Sequence, residues 1–245
     1  MKNNILTLIL FLIVAGLHAQ TQVNKTIPVS PGQKIKMTFD YPKLITVTTW
    51  EKNEILITGT VSINNGENDD SFILESSIKD GAVTVDSYIK DMKNLPHTVT
   101  IMEDGKKIVF RSKEDFKKYK DEHGKTYSQM SWGTDIEITL EIKIPEHTET
   151  HVKSTYGMVE VRKFLGALDV DATYGGVDVA VEEKSTGELV AETNYGEIFS
   201  NLVTKFDGSN TREENFHTVV KAQPGKGPSY NFESKYGNVY LRKSN

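Results

Sequence analysis

The sequence predicts an exported, all-β protein whose C-terminal half is a single-stranded β-solenoid. Three observations favour this fold class. The N-terminus has the pattern of a secretory signal peptide. Most of the remaining chain alternates apolar and polar residues, as strands do. The dipeptide Tyr-Gly recurs four times at nearly regular spacing in the last hundred residues, as in proteins that stack short repeats.

The first segment, residues 1–19, predicts export. Lys2 supplies a positive charge, residues 5–17 are almost wholly apolar, and Ala19 provides a small residue before the expected cleavage site. The apolar run is shorter than the roughly 20 residues that a membrane-spanning helix needs. We therefore expect a cleaved signal peptide, no transmembrane segment after cleavage, and a location in the periplasm or at the bacterial cell surface.

Composition removes several classes of function. The chain contains no cysteine, which excludes disulfides, thiolate metal sites, cysteine nucleophiles and a lipid-modified cysteine anchor. The formal net charge of −5 argues against nucleic acid as a partner. A chain of 245 residues is long enough to hold its fold by a hydrophobic core alone.

Strand patterns cover most of the chain after the signal peptide. Residues 20–111 alternate repeatedly, and Asp104-Gly105 suits the tight turn of a β-hairpin. Residues 136–144 have an isoleucine or leucine at every second position, which predicts one buried and one wet face. Between these segments, residues 112–131 are rich in charge and predict an exposed insertion with a short helix ending near Gly124. This insertion could be a mobile binding loop or a solvated connector.

The strongest signal is the repeat in residues 132–245. Successive Tyr-Gly pairs lie 18, 21 and 41 residues apart, so a degenerate copy is expected near residues 215–218. Apolar residues recur at fixed offsets on both sides of each glycine, and a small residue stands three positions before it. The four pairs are Tyr156-Gly157, Tyr174-Gly175, Tyr195-Gly196 and Tyr236-Gly237.

The spacing of the apolar positions predicts that the chain turns a corner at each Tyr-Gly pair. The apolar sets before and after glycine are an odd number of residues apart, which a straight strand cannot place on one face. Glycine suits a corner because it tolerates backbone conformations that a Cβ atom would obstruct. We therefore predict a solenoid with coils of about 20 residues, into which the N-terminal strands also stack. The tyrosines would form a structural ladder along it. An antiparallel meander is the alternative architecture.

The repeat resembles the bacterial "putative adhesin" family of exported β-helix domains. The resemblance is carried by residues 142–145, by 152–161 around Tyr156-Gly157, and by 165–170, with 32–47 and 57–59 similar to the family's N-terminal strands. Residues 91–131 depart from the family pattern as an insertion. The resemblance implies a β-helix, export and no established catalytic residues.

Candidate chemistry is sparse. Glu160 and Asp178 occupy the same outward column and could serve as the paired carboxylates of a glycoside hydrolase, while Phe199 and Tyr240 share that column and could form a binding face. His147 and His151 are too far apart on a strand to share a metal ion. The oxygen-rich residues 64–70 lack the spacing of an EF-hand calcium loop.

These observations predict a non-enzymatic envelope protein that acts as an adhesin-like binding or scaffold module. No catalytic residue, metal ligand or cofactor site is expected. The expected partner is a glycan, an envelope protein or, through the C-terminal edge of the solenoid, another copy of the chain; no nucleic acid is expected. The tentative binding face is Glu160, Asp178, Phe199 and Tyr240. The alternative is a carbohydrate-active β-helix enzyme that uses outward-facing carboxylates.

Overall fold

The computed structural model describes residues 20–206 and 211–244, so the predicted signal peptide, residues 1–19, lies outside the described residues. The described part is built almost entirely of strands. They are β1 (Thr21–Pro28), β2 (Lys34–Phe39), β3 (Leu44–Trp50), β4 (Glu54–Ile63), β5 (Phe72–Lys79), β6 (Ala82–Ile89), β7 (Thr98–Glu103), β8 (Lys106–Phe110), β9 (Met130–Gly133), β10 (Ile136–Pro145), β11 (Thr150–Ser154), β12 (Met158–Lys163), β13 (Leu168–Ala172), β14 (Val177–Val181), β15 (Leu189–Thr193), β16 (Ile198–Ser200), β17 (Thr211–Glu214), β18 (His217–Ala222), β19 (Tyr230–Ser234) and β20 (Val239–Lys243). The described residues also form one α-helix, α1 (Lys113–His123), and three single-turn 3-10 helices at Asp69–Ser71, Met92–Asn94 and Glu183–Ser185.

The strands form two large sheets and one small sheet. The eight-stranded sheet has the order β1-β4-β10-β3-β12-β14-β20-β16, and the nine-stranded sheet has the order β17-β18-β15-β19-β13-β11-β2-β6-β5. The small sheet has the order β8-β7-β9. Both large sheets are mixed: the nine-stranded sheet has antiparallel pairs at both ends, whereas the eight-stranded sheet has them only at its β1 end and is parallel from β10 to β16.

One hydrophobic core lies between the two large sheets. It includes Phe39 and Phe232 from the nine-stranded sheet and Ile57, Leu140 and Val177 from the eight-stranded sheet, all with 1% exposure or less. Along β10 the predicted alternation is realised, because its apolar side chains are inward and its charged side chains outward. Two sheets that share one core in this way form a β-sandwich.

The predicted single-stranded β-solenoid is therefore wrong. Antiparallel pairs such as β1–β4, β4–β10 and β5–β6 mean that the N-terminal strands do not stack as coils of one solenoid. The Tyr-Gly repeats do stack in parallel, but out of chain order: β19 lies between β13 and β15, and β20 lies between β14 and β16. The parity switch that favoured a solenoid is equally satisfied by two facing sheets, since each repeat contributes one strand to each sheet.

The predicted self-association edge is also misplaced. β20, the last strand, is paired in parallel on both sides, with β14 and with β16, and its Leu241 is buried. The described strands at this end of the two sheets are β16 and the hairpin strand β17. The C-terminal strand is thus an interior strand, because the repeat that contains it inserts between two earlier repeats.

The charged segment at 112–131 contains α1 and the beginning of β9. The helix begins after Ser112, whose Oγ accepts a hydrogen bond from the backbone N–H of Asp115 at 3.1 Å. It ends at Gly124, which adopts the left-handed conformation with φ of 60°. The expected short helix ending near Gly124 is present, and its aromatic residues Phe116 and Tyr119 pack on Phe110 of β8.

Candidate functional site

Each Tyr-Gly corner connects a strand of the nine-stranded sheet to a strand of the eight-stranded sheet. The connections are β11 to β12, β13 to β14, β15 to β16 and β19 to β20. Because the chain crosses from one sheet to the facing one, inward side chains before and after the corner both reach the shared core. The corners consequently lie along one rim of the sandwich, in the same order as the strands.

The glycines are required by close packing between successive corners rather than by an unusual backbone conformation. A Cβ atom on Gly175 would lie 2.0 Å from the carbonyl oxygen of Gly157, and one on Gly196 would lie 2.0 Å from that of Gly237. None of the four corner glycines has a φ in the left-handed region. The predicted conformational role of these glycines is therefore wrong, and the physical reason for them is space for the neighbouring backbone.

Small hydroxyl side chains join two of the corners to a neighbouring corner. Ser234 Oγ accepts a hydrogen bond from the backbone N–H of Gly237 at 2.9 Å and donates one to the carbonyl oxygen of Gly175 at 2.7 Å. Thr193 Oγ1 accepts from Gly196 N–H at 3.0 Å and donates to the Gly237 carbonyl at 2.9 Å. The sequence showed a small residue three positions before each glycine, but its hydrogen-bonding role was missed, although this residue is Ser or Thr in three of the four copies.

The tyrosines of the corners stack into a continuous row on the rim. Ring centroids are 5.2 Å apart between Tyr156 and Tyr174, 5.1 Å between Tyr174 and Tyr236, and 5.1 Å between Tyr236 and Tyr195, with interplanar angles of 12° or less. These four tyrosine residues are between 45% and 62% exposed. We call Tyr41, Tyr156, Tyr174, Tyr236 and Tyr195 the tyrosine ladder.

Two aromatic residues that sequence reasoning missed extend this row at its ends. Tyr41 stacks on Tyr156 at 5.3 Å, and burial together with the neighbouring Tyr156 raises the pKa of its hydroxyl. The sequence contains Tyr41-Pro42 two residues after β2, and Pro42 stands where the repeats have glycine. Because β2 pairs in parallel with β11, this dipeptide lies beside Tyr156-Gly157. At the other end, Phe216 stacks on Tyr195 at 6.2 Å.

The degenerate copy expected near residues 215–218 is not a corner between the two sheets. Asn215 and Phe216 form the tight turn of the antiparallel hairpin β17–β18, with φ values of 48° and 71°. Both residues are left-handed, as a type I′ hairpin turn requires. The hairpin pairs with β15 and places the Phe216 ring at the end of the ladder. The absence of glycine from residues 215–218 was the sign in the sequence that this segment is not a corner of the Tyr-Gly type.

The four residues of the tentative binding face lie on adjacent strands of the eight-stranded sheet. Register pairs Glu160 with Asp178, Asp178 with Tyr240, and Tyr240 with Phe199, so together they form one column. The rings of Tyr240 and Phe199 stack at 5.2 Å. Arg242 binds both oxygens of Asp178 at 2.6 to 2.9 Å and lies 5.2 Å from the Tyr240 ring, so it connects these two members of the column.

A second outward column, on the nine-stranded sheet, is acidic. Asp171, Glu233 and Glu192 stand side by side on β13, β19 and β15. Asp171 is 3.6 Å from Lys153, and Glu192 is 2.6 Å from His217. Burial, and then the charges of Glu192 and Asp171, raise the pKa of Glu233. The ladder is thus flanked by carboxylates on both faces of the sandwich.

The histidines and the oxygen-rich turn have structural contacts. His147 adopts a left-handed conformation, while His151 lies on β11 against Asp169 at 3.3 Å, whose hydrogen bond raises the pKa of the imidazole. In residues 64–70, Asp69 accepts hydrogen bonds from the backbone of Ile63 and Thr21. No group of three or more metal-ligating side chains is found within residues 20–206 and 211–244.

The insertion carries a cluster of its own around Glu103. Tyr119, Tyr127 and Lys125 all donate hydrogen bonds to this carboxylate, Lys125 at 2.8 Å. The bonds from Lys125 and Tyr119 lower the pKa of Glu103 to about 2, and the bond to Glu103 raises the pKa of Tyr119 to about 12. Since all three partners come from α1 or the segment after it, the cluster holds the helix on its sheet.

Comparisons with known proteins agree with the fold but do not assign a family. In the described part of the chain, no helix has the length and apolar character needed to cross a bilayer. No protein-family model matches the chain, and no curated protein matches it. A "putative adhesin" from Bacteroides fragilis NCTC 9343 aligns over 92% of this chain and 98% of its own at 10% identity, with a TM-score of 0.23 that supports no conclusion.

A second solved structure is more similar. It is described as a "putative cell adhesion protein" from Clostridium sporogenes ATCC 15579, and it covers 92% of this chain and 100% of its own length. The TM-score is 0.52 and the sequence identity is 13%. At this identity the similarity concerns the fold alone: the chain shares its sandwich of mixed sheets with a protein named for cell adhesion.

Proposed function

We propose that the chain is a non-enzymatic exported envelope protein that acts as an adhesin-like binding or scaffold module. The observation that carries the proposal is the surface formed by the tyrosine ladder and the adjacent column of Glu160, Asp178, Tyr240 and Phe199. Contiguous exposed aromatic surface on a soluble fold usually marks an interaction site. The bacterial "putative adhesin" resemblance of the sequence and the name of the C. sporogenes structure support the same role.

Rigidity suits this surface to binding. Its aromatic residues stand on parallel strands whose corners are fastened by backbone and hydroxyl hydrogen bonds. Tyrosine has few rotatable bonds, so ordering it on binding costs little entropy. A surface that is already ordered keeps more of its interaction energy for the partner. The proposed location is the periplasm or the cell surface, in keeping with the predicted signal peptide.

The arrangement favours binding over the alternative of a carbohydrate-active enzyme. A retaining glycosidase needs one carboxylate free to attack the sugar and a second to act as an acid. Both oxygens of Asp178 are occupied by Arg242, and Glu160 lies 3.4 Å from Arg162. An attacking carboxylate held in such a bidentate ion pair is a poor nucleophile, because its charge is already neutralised.

Binding of labelled protein to purified envelope preparations tests the proposal. We expect the wild-type protein to be retained, and the double variant Phe199→Ser with Tyr240→Ser to bind at least about tenfold more weakly, because a few large aromatic side chains commonly carry much of the binding energy of an interface. The matched control is Ile78→Ser, which removes an apolar side chain that is 70% exposed on β5 at the far end of the other sheet. This control should bind as the wild type does.

Two results would contradict the proposal. Absence of wild-type retention on any envelope preparation would argue against an adhesin-like role. Equal retention of the wild type and the double variant, with unchanged melting temperatures, would show that this column is not the binding surface.

A further inference from the structure

Five titratable side chains form a row across the outer face of the nine-stranded sheet. They stand on β11, β13, β19, β15 and β18, with a lysine at one end, a histidine at the other and three carboxylates between them. We call Lys153, Asp171, Glu233, Glu192 and His217 the charged row. Lys153 Nζ lies 3.6 Å from a carboxylate oxygen of Asp171, and His217 Nε2 lies 2.6 Å from one of Glu192. Each outer carboxylate thus has a basic partner at its own end of the row.

The central member, Glu233, stands between two carboxylates. Its register partners on the adjacent strands are Asp171 and Glu192, at the strand separation of about 4.8 Å. Because β19 is paired on both sides, these three strands cannot move apart without breaking the sheet. Like charges directly opposite each other on neighbouring strands are destabilising. A proton on Glu233 removes that repulsion and lets its carboxyl group donate a hydrogen bond to a neighbouring carboxylate.

Partial burial strengthens the coupling within the row. The side chains of Asp171, Glu192 and His217 are between 32% and 36% exposed, so solvent screens their charges less than those of fully exposed groups. Burial, and then the charges of Glu192 and Asp171, raise the pKa of Glu233. Asp169 acts in the same direction, and His217 opposes it. Glu233 consequently keeps its proton to a higher pH than an ordinary glutamate does.

Two further charged residues border the row. Lys235 follows Glu233 by two residues, and its ammonium group lies 5.5 Å from the centre of the Tyr236 ring. Glu214 of β17 is the register partner of His217. A charged imidazole at position 217 is thus flanked by acidic residues on both β15 and β17.

Among the strands of the row, those at the histidine end have the most freedom to move. The strands β11, β13, β19 and β15 are interior, whereas the hairpin β17–β18 forms one end of the nine-stranded sheet. The hairpin contributes one member of the row, His217, which contacts Glu192 of β15. Local opening is easiest at the end of a sheet, so a change of charge in this contact should act on the hairpin first.

From this arrangement we propose that the charged row is a pH-sensitive latch, which holds the hairpin β17–β18 against β15 more firmly in mildly acidic than in alkaline solution. When His217 is charged and Glu233 is protonated, each ionised carboxylate of the row has one basic partner. When both have lost their protons, three carboxylates share Lys153. The latch goes beyond the proposed binding role and does not depend on it.

The two protons act in the same direction. A carboxyl group whose pKa is raised by folding stabilises the folded state below its unfolded pKa, and this contribution is lost as the pH rises through the raised value. Glu233 is such a group. A histidine loses its charge as the pH rises through the neutral range, and the attraction between His217 and Glu192 is lost with it. The hairpin should therefore be held best at about pH 5 and least at about pH 8.

Hydrogen exchange of the full chain between about pH 5 and about pH 8 tests the latch. After correction for the intrinsic exchange rate, protection of the β18 amides should fall at least about threefold over this range, as expected for the loss of a partly exposed ion pair. The amides of β11 and β13, which are interior strands, should keep their protection. An equal fall in β13 and β18, or no fall in β18, would overturn the inference.

Two variants test the members of the row. His217→Gln removes the ionisable group from the hairpin, so its β18 amides should be as weakly protected at about pH 5 as those of the wild type are at about pH 8. Glu233→Gln keeps the size of the side chain and removes its charge, so β18 should be better protected than in the wild type at about pH 8 and unchanged at about pH 5.

The matched control is Glu141→Gln, which replaces an exposed glutamate on β10 of the other large sheet. Its β18 amides should respond to pH as those of the wild type do. A fall of protection with pH in His217→Gln that equals the wild-type fall would contradict the latch. So would a Glu233→Gln variant that matches the wild type at every pH.

Discussion

Replacing Gly175 with alanine should lower the free energy of unfolding by about 4 kcal/mol or more, the largest effect of any substitution considered. The added Cβ would lie 2.0 Å from the carbonyl oxygen and 2.3 Å from the carbonyl carbon of Gly157. Both atoms belong to backbone, which cannot rotate away as a side chain can. Relief would require β12 and β14 to separate at the corner, which would also disturb the stacking of Tyr156 on Tyr174.

The matched control for this prediction is Gly133→Ala in β9. Gly133 has no atom within 4 Å of an added Cβ, and its φ is not in the left-handed region. Its replacement should change stability by no more than about 0.5 kcal/mol. Urea unfolding of both variants measures the difference. A loss below about 1 kcal/mol in Gly175→Ala would show that the corners are not closely packed.

Replacing Asn64 with alanine should cost about 3 kcal/mol, because this side chain joins three segments. Its Nδ2 donates to the carbonyl oxygen of Pro96 at 2.9 Å, and its Oδ1 accepts from the backbone N–H of Asp135 at 2.9 Å. Asn64 is 4% exposed and has a φ of 50°, which asparagine tolerates better than alanine. The substitution would remove both hydrogen bonds and leave the backbone N–H of Asp135 without this acceptor.

The loss should be concentrated in the segment that Asn64 holds. Hydrogen exchange should speed up most in residues 98–133, because Pro96 and Asp135, which flank this segment, are both hydrogen-bonded to the Asn64 side chain. Asn68→Ala is the control in the same turn, since that side chain only accepts one hydrogen bond from Asn64 Nδ2. It should cost less than about 1 kcal/mol. Equal losses in the two variants would contradict the role assigned to Asn64.

The sequence carried enough information to predict strands, their inward faces and the corners, but not which strands are neighbours. Alternation along residues 136–144 and on both sides of Tyr156 depends only on local burial, and the structure confirms both patterns. Neighbour order depends on long-range packing. Every repeat has the same apolar columns, so the repeat at Tyr236 fits beside Tyr174 as well as the one at Tyr195 does.

The candidate surface was predictable in part for the same reason. Glu160, Asp178, Phe199 and Tyr240 were assigned to one column from their offsets to glycine, and the structure places them on four adjacent strands. The partner of Asp178 is Arg242, on β20, which only the true strand order reveals. The position of Phe216 beside the ladder could not be predicted from the repeat, because a hairpin turn and not a Tyr-Gly corner places it there.

The proposed function depends on the order of the corners, and disulfide trapping tests that order most directly. The chain has no native cysteine, so any disulfide that forms must link the two introduced cysteines. Asp171 and Glu233 are register partners on adjacent strands, whereas Asp171 and Glu192 are separated by β19. Strands two places apart are about 10 Å from each other, beyond the roughly 7 Å between Cα atoms that a disulfide can bridge.

We expect the double variant Asp171→Cys with Glu233→Cys to oxidise readily, and Asp171→Cys with Glu192→Cys to remain reduced under the same conditions. Peptide mapping of the oxidised proteins identifies the linked residues. Efficient bridging between positions 171 and 192, with none between 171 and 233, would mean that the repeats stack in chain order, and the ladder described here would not exist.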